Sequence, residues 1–311
     1  MILSTKESGE LASWLVDNGY HLPDNAKEVL RPYVKNNLKF FVVKVNLQKH
    51  YASTPLRPLQ IEYEHDRFML PIRLGMANSK GEQDMVVYAL SKIGRVETVN
   101  YRTVPIPTNV EVPVFVENKF EAFYRDVYQK AWEKEGKKAV HLEYAWDLSG
   151  SNSVKCDPCP PDVPMAGDLK VAGARWIDAS NNYGPVFFTR LHLRYGREHF
   201  PEDLTFVETP NKERFQGRYI IRHMAPGPFD CEKGQEYLAQ YAQRCKREAE
   251  NLAELTGWEP SKDNKIFPFV AAWRFPKRPH MPGLFVLALL VLGGAIFLFR
   301  TRTALRGKAS C

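Results

Sequence analysis

An α+β fold of antiparallel sheets with packed helices, ending in one C-terminal transmembrane helix, is what this sequence predicts, on three observations. Apolar residues recur at helical spacing in four stretches, the period drops to two between them, and residues 281–299 form a run of nineteen without a charge. Amphipathic helices give the first pattern, half-buried strands the second and a membrane span the third. At 311 residues, 44% hydrophobic and 25% charged, the chain can fill one full core or two subdomains.

Ser4 and Glu7 have capping-box spacing ahead of Leu11, Trp14 and Leu15, and Gly19 supplies a stop, so the first element is a helix. Ala26, Val29, Leu30, Tyr33 and Val34 predict a second helix, kinked or shortened by Pro32. Then Leu59, Ile61 and Tyr63 alternate, His65 and Asp66 suit a turn, and Phe68, Leu70, Ile72 and Leu74 alternate back, which predicts an antiparallel hairpin. Strands over 84–90 and 95–104 continue the meander. Phe120, Phe123, Tyr124, Val127, Tyr128, Ala131 and Trp132 form a helical stripe that reads as core, ended by Gly136. Val140, Leu142, Tyr144 and Trp146 alternate as a strand, and strands over 186–195, 203–208 and 216–223 follow. A long helix then runs from Glu232 to Leu255, with Asp230 as N-cap and Gly257 as stop.

Two related sheet units, about 36–148 and 183–256, are a further expectation. Phe41 to Leu47 lies over Phe187 to Leu193 at an offset of 146, and Arg67-Phe68 matches Arg214-Phe215 at 147. The alternative is that amphipathic strands resemble one another by composition.

The body is expected over 1–259, a proline-rich stalk over 260–282, the transmembrane helix over 283–299 and a basic cytoplasmic tail over 300–311. The charge-free run spans about 28 Å as a helix, close to the thickness of a bilayer core. Arg300, Arg302, Arg306 and Lys308 follow it, against Arg274, Lys277 and Arg278 before it, a bias that places the tail in the cytoplasm and the body outside. Met1 is followed by neither a basic start nor an apolar signal run, so the alternative is a tail-anchored chain with its body in the cytosol.

The net charge of +7 falls to +3 without the four basic residues of the tail, which leaves no footprint for nucleic acid. No glycine-rich phosphate loop, HExxH or GxSxG string is present, and no cofactor is expected. Arg190, His192 and Arg194 alternate with Leu191 and Leu193, and Arg218 and Arg222 share a face of the strand over 216–223. If both strands lie in one sheet, the five side chains form a patch for an anionic envelope ligand or a protein partner. The competing reading is a solvated face neutralised by Glu202, Asp203, Glu208 and Glu213.

Cys156 and Cys159 have redox spacing but sit among Pro158, Pro160, Pro161 and Pro164, without the βαβ setting that a thiol oxidoreductase uses. A metal site of Cys156, Cys159 and Cys231, with Cys245 beyond it, lacks a second C-x-x-C knuckle. On one helix, Cys231 and Cys245 stand about 21 Å apart, too far to pair. The expectation is a disulfide from Cys231 to Cys156 or Cys159, with a Cys156–Cys159 bridge as the alternative and Cys245 a buried free thiol.

Trp14-Leu15 with Asn18-Gly19-Tyr20, Leu70-Pro71-Ile72-Arg73-Leu74, Arg95-Val96-Glu97 and Lys155-Cys156-Asp157-Pro158-Cys159 occur in that order. Thr189 to Tyr195, Pro201-Glu202-Asp203-Leu204 and Gln216-Gly217-Arg218-Tyr219 follow. From about residue 10 to 258 the chain thereby resembles an exported bacterial family, domain of unknown function 2330. That family begins with a signal peptide and a further β-rich region, so the resemblance implies an extracytoplasmic body and a start upstream of Met1; it nominates no catalytic residue. The function expected is that of a membrane-anchored envelope protein, a binding or structural module in contact with the lipid bilayer. The alternative is an extracytoplasmic hydrolase or thiol oxidoreductase with dispersed catalytic residues.

Overall fold

The structure, a computed structural model, describes residues 1–43, 58–77, 79, 81–149, 164–177 and 184–258. In chain order it contains β1 (Ile2–Leu3), α1 (Ser8–Asp17), α2 (Ala26–Lys35), β2 (Phe40–Phe41), β3 (Met69–Leu70), α3 (Arg73–Met76) and β4 (Gln83–Ser91). Next come β5 (Val96–Thr98), β6 (Arg102–Pro105), β7 (Val110–Val112), α4 (Phe120–Lys134), β8 (Ala139–Asp147) and α5 (Ala166–Val171). The chain continues through β9 (Phe187–Tyr195), β10 (Leu204–Glu208), β11 (Phe215–Gln216), β12 (Tyr219–Ile221) and α6 (Glu232–Thr256). The fold is mixed α+β with mostly antiparallel pairing. β6 with β8 and β7 with β12 are parallel, a departure from the all-antiparallel expectation.

The described residues divide into two compact units, one within 1–108 and 128–218, the other within 109–127 and 219–258. In the first, a five-stranded sheet runs β11-β8-β9-β4, with β6 on the same edge of β8 that β11 uses further along. A three-stranded sheet, β3-β10-β5, supplies Val96, Leu204 and Phe206 to a core shared with Leu142, Phe187, Leu191 and Leu193 of the larger sheet. β9 alternates buried and half-buried residues along its whole length, as its period-two sequence requires. In the second unit, β7 and β12 pair beside α6, and Val112, Val116, Phe123, Val127, Leu252 and Leu255 close the core.

Several expectations are corrected. α1 is capped by Glu7 without a side-chain bond, so the Ser4–Glu7 box is not formed; Thr5 Oγ1 instead accepts from the Glu7 N–H at 3.2 Å. The hairpin over 59–74 is absent: Leu59, Ile61 and Tyr63 are exposed, only Met69–Leu70 is strand, and it pairs with β10. The cause is Asp203, whose carboxylate accepts from the Arg73 backbone N–H at 3.0 Å and caps the helical turn α3, ending the second strand of the hairpin early. The His65 turn does form, with the Arg67 N–H donating to His65 Nδ1 at 2.9 Å. The N-cap of α6 is Cys231 rather than Asp230, its Sγ accepting from the Gly234 N–H at 3.3 Å, while Gly257, at φ 75°, stops the helix as expected.

The stalk, the transmembrane segment, the tail, and Cys156, Cys159 and Cys311 lie outside the described residues, as does most of the stretch Phe41 to Leu47 on which the repeat rests. Among the described residues no helix is long and apolar enough to cross a membrane.

Candidate functional site

The outer face of the five-stranded sheet, away from the shared core, carries the charged residues of β9. Leu142 pairs with Leu191 and Tyr144 with Arg190, so Glu143 is the extra residue of a β-bulge. The bulge falls where the other edge of β8 changes partner: Ile106 N–H donates to the Leu142 carbonyl at 3.0 Å, and Gly217 N–H to the Glu143 carbonyl at 2.8 Å. A Cβ at 217 would stand 2.8 Å from Ile106 Cγ2, so any larger residue there requires Ile106 to shift. The consequence is that Glu143 and Tyr144 both lie beside Arg190, and a carboxylate 6% exposed enters the face.

A buried carboxylate is costly unless it is paired and hydrogen-bonded. Glu143 meets Arg190 Nε at 2.7 Å through one oxygen and His192 Nδ1 at 2.7 Å through the other. The ring of His192 stacks on Tyr128 at 3.8 Å, and its Nε2 faces Asp84 at 3.4 Å. Asp84 in turn holds Arg194 through Nε at 2.9 Å and Nη2 at 3.1 Å, and Arg194 also donates to Gln129 and lies over the rings of Tyr128 and Trp132. Burial pushes the Tyr128 hydroxyl well above the usual phenol range. His141, opposite His192 in the register and fully buried, is pushed down to about 4, by burial first and by the neighbouring His192 second. It is therefore neutral at physiological pH.

Of the five predicted site residues, the sheet brings Arg190, His192 and Arg194 together. It does not bring Arg218 and Arg222 to them as one strand, because the predicted strand over 216–223 breaks at Gly217 and Arg218. β11 joins β8, whereas β12 joins β7 in the other unit. There Arg222 pairs with Glu111 at 2.7 Å. The acids that balance the face are Glu143 and Asp84, not Glu202, Asp203, Glu208 and Glu213. Glu143 was the residue that sequence reasoning missed. Its one signal is a single acidic residue inside the mostly apolar run from Ala139 to Ala145.

Arg190 differs from its neighbours. Its side chain is 40% exposed against 18% for Arg194, and its Cζ lies 5.6 Å from the centroid of Tyr88, itself 59% exposed. Arg190 Nε is buried and lies 2.7 Å from Glu143 Oε2, a charge contact without hydrogen-bond geometry, while the side chain as a whole is 40% exposed. In the second unit, Cys245 is a free, half-buried thiol whose pKa is raised by burial, the opposite of what a reactive cysteine needs. The Cys231 sulfur has a further interaction besides its cap contact with the Gly234 N–H. Among the described residues no cluster of histidine, cysteine and carboxylate side chains is arranged to hold a metal ion.

No curated protein and no solved structure matches the chain. A family model, described as an uncharacterized protein conserved in bacteria (DUF2330), matches residues 1–207, so the match includes Glu143, Arg190, His192 and Arg194 and stops inside β10, short of the resemblance read to residue 258. The chain belongs to this bacterial family.

Proposed function

We propose that the chain is a single-pass, membrane-anchored envelope protein whose body faces away from the cytoplasm and acts as a binding module for an anionic ligand. The observation that supports this reading is Arg190, whose Nε lies 2.7 Å from the buried Glu143 carboxylate while its side chain is 40% exposed beside Tyr88. A fork held in place before binding loses less conformational freedom on meeting a carboxylate or phosphate than a free side chain does. Arg194 is less suited, because Asp84 already occupies its fork.

The enzyme alternative has one point of contact with the geometry, the His192–Glu143 pair at 2.7 Å, which resembles a base and its orienting acid. The other nitrogen of His192 faces the carboxylate of Asp84 rather than a hydroxyl or thiol, so the pair reads as a bridge between strands. The thiol-oxidoreductase alternative loses support from the raised pKa of Cys245.

Two experiments test the reading. The native protein with alkaline phosphatase fused after Pro260 is expected to be active, and an inactive fusion beside an active cytosolic reporter at the same point overturns the topology. Retention of the solubilised full chain on an anionic matrix at low salt is expected to fall with Arg190→Gln and to persist with Arg218→Gln. Equal retention of both variants returns the face to a solvated, internally neutralised surface. For the proposed bridge from Cys231 to Cys156 or Cys159, non-reducing peptide mapping decides: a free thiol at Cys231 in oxidised protein removes it.

A further inference from the structure

The outer face holds a second feature beside Arg190. Tyr88 of β4 meets Phe188 of β9 at 5.8 Å between centroids, Phe188 meets Tyr144 of β8 at 5.7 Å, and Tyr144 stacks on Trp146 at 5.7 Å with 17° between planes. This is a continuous aromatic strip across three strands, and its Tyr88 end is 59% exposed. Arg214 closes the far end, its Cζ 5.1 Å from the Trp146 centroid, and among the described residues it pairs with no carboxylate.

Shape restricts the ligand. A planar guanidinium fork matches a carboxylate in two parallel hydrogen bonds. Tyrosine and tryptophan rings offer flat amphipathic surfaces, with hydroxyl groups at the rim as donors. Burial raises the Tyr144 pKa, which keeps that hydroxyl protonated and able to donate.

Resting on the binding reading above and deepening it, we propose that the strip recognises a carboxylated sugar, an acidic glycan of the uronic-acid type. Its carboxylate sits on the Arg190 fork and its ring lies against Tyr88.

The test is calorimetric titration of the full chain, reconstituted in lipid nanodiscs, with a galacturonic acid hexamer. A neutral glucose hexamer and inorganic phosphate serve as the other probes. The expected result is binding of the acidic hexamer alone, weakened at least tenfold by Arg190→Lys, which keeps the charge but loses the fork. Tyr88→Ser, at an exposed position, is expected to weaken it at least fivefold without moving the thermal midpoint. Equal binding of the neutral hexamer, or no binding of the acidic one, overturns the inference. Phosphate binding that depends on Arg190 but not on Tyr88 also overturns it, while leaving the anion-binding reading intact. The absence of any Arg190-dependent anion binding removes both.

Discussion

Two buried carboxylates in the first unit use the same chemistry to different ends. Asp203, 7% exposed, accepts from the Tyr33 hydroxyl at 2.6 Å, from the Arg73 backbone at 3.0 Å, and from Arg73 Nε and Nη2 at 3.0 and 2.6 Å. Glu143, 6% exposed, is met by Arg190 and His192. The Arg73 fork is spent on Asp203 and on the face of Tyr33, 5.1 Å away, so the cluster is a latch that ties α2 and α3 to the start of β10. Arg190 approaches Glu143 through Nε, without the paired fork bonds that Arg73 makes to Asp203. A buried acid that takes the whole fork makes structure, and one that takes half of it leaves a positioned binding group.

Breaking the latch is expected to have the largest effect. Asp203→Ala leaves Arg73 and Tyr33 without their shared acceptor in a buried setting, and is expected to lower the unfolding free energy by about 3–5 kcal/mol. Urea unfolding of the detergent-solubilised chain, followed by tryptophan fluorescence, measures it. A loss under about 1 kcal/mol contradicts the latch.

Acid is expected to weaken the Glu143 side selectively, because its neighbourhood holds His141 whereas the contacts of Asp203 are a tyrosine and an arginine. The folded pKa of His141, about 4, lies below the usual imidazole value of 6.5, so the unfolded chain binds more protons between the two and stability rises with pH across that window. The stabilisation is complete above pH 6.5 and is lost as pH falls toward 4, by roughly 3 kcal/mol in all. His141→Gln is expected to remove that part of the slope in unfolding titrations from pH 7 to pH 4. A slope unchanged by the substitution contradicts the assignment.

Much of this was legible in the sequence, and the failures have physical causes. The period-two pattern from Phe187 to Tyr195 placed Arg190, His192 and Arg194 on one face, because alternation along a strand is local. The helical stripe from Phe120 to Trp132 and the stop at Gly257 were legible for the same reason. The bulge was not: Val140, Leu142, Tyr144 and Trp146 alternate without a break, and the inserted residue is visible only in the register against β9. The hairpin over 59–74 failed because Asp203, some 130 residues away, draws Arg73 into a helical turn. Arg222 was misplaced because the chain is out of strand between Gln216 and Tyr219, and β11 and β12 join different sheets.

Removing the half-used acid is expected to cost less than removing the latch. Glu143→Ala removes the acceptor of His192 Nδ1 and the partner of a guanidinium that is already 40% exposed, so a loss of about 1–3 kcal/mol is expected by urea unfolding. A loss equal to that of Asp203→Ala erases the distinction between the two clusters.

The most direct measurement of that distinction is arginine modification by phenylglyoxal on the full chain, read by peptide mass spectrometry with and without the galacturonic acid hexamer. Arg190 is expected to react and to be protected by the hexamer, while Arg73 resists in both conditions. Reaction at Arg73 ahead of Arg190, or an Arg190 that reacts identically with the hexamer present, contradicts the assignment of the open fork as the binding group.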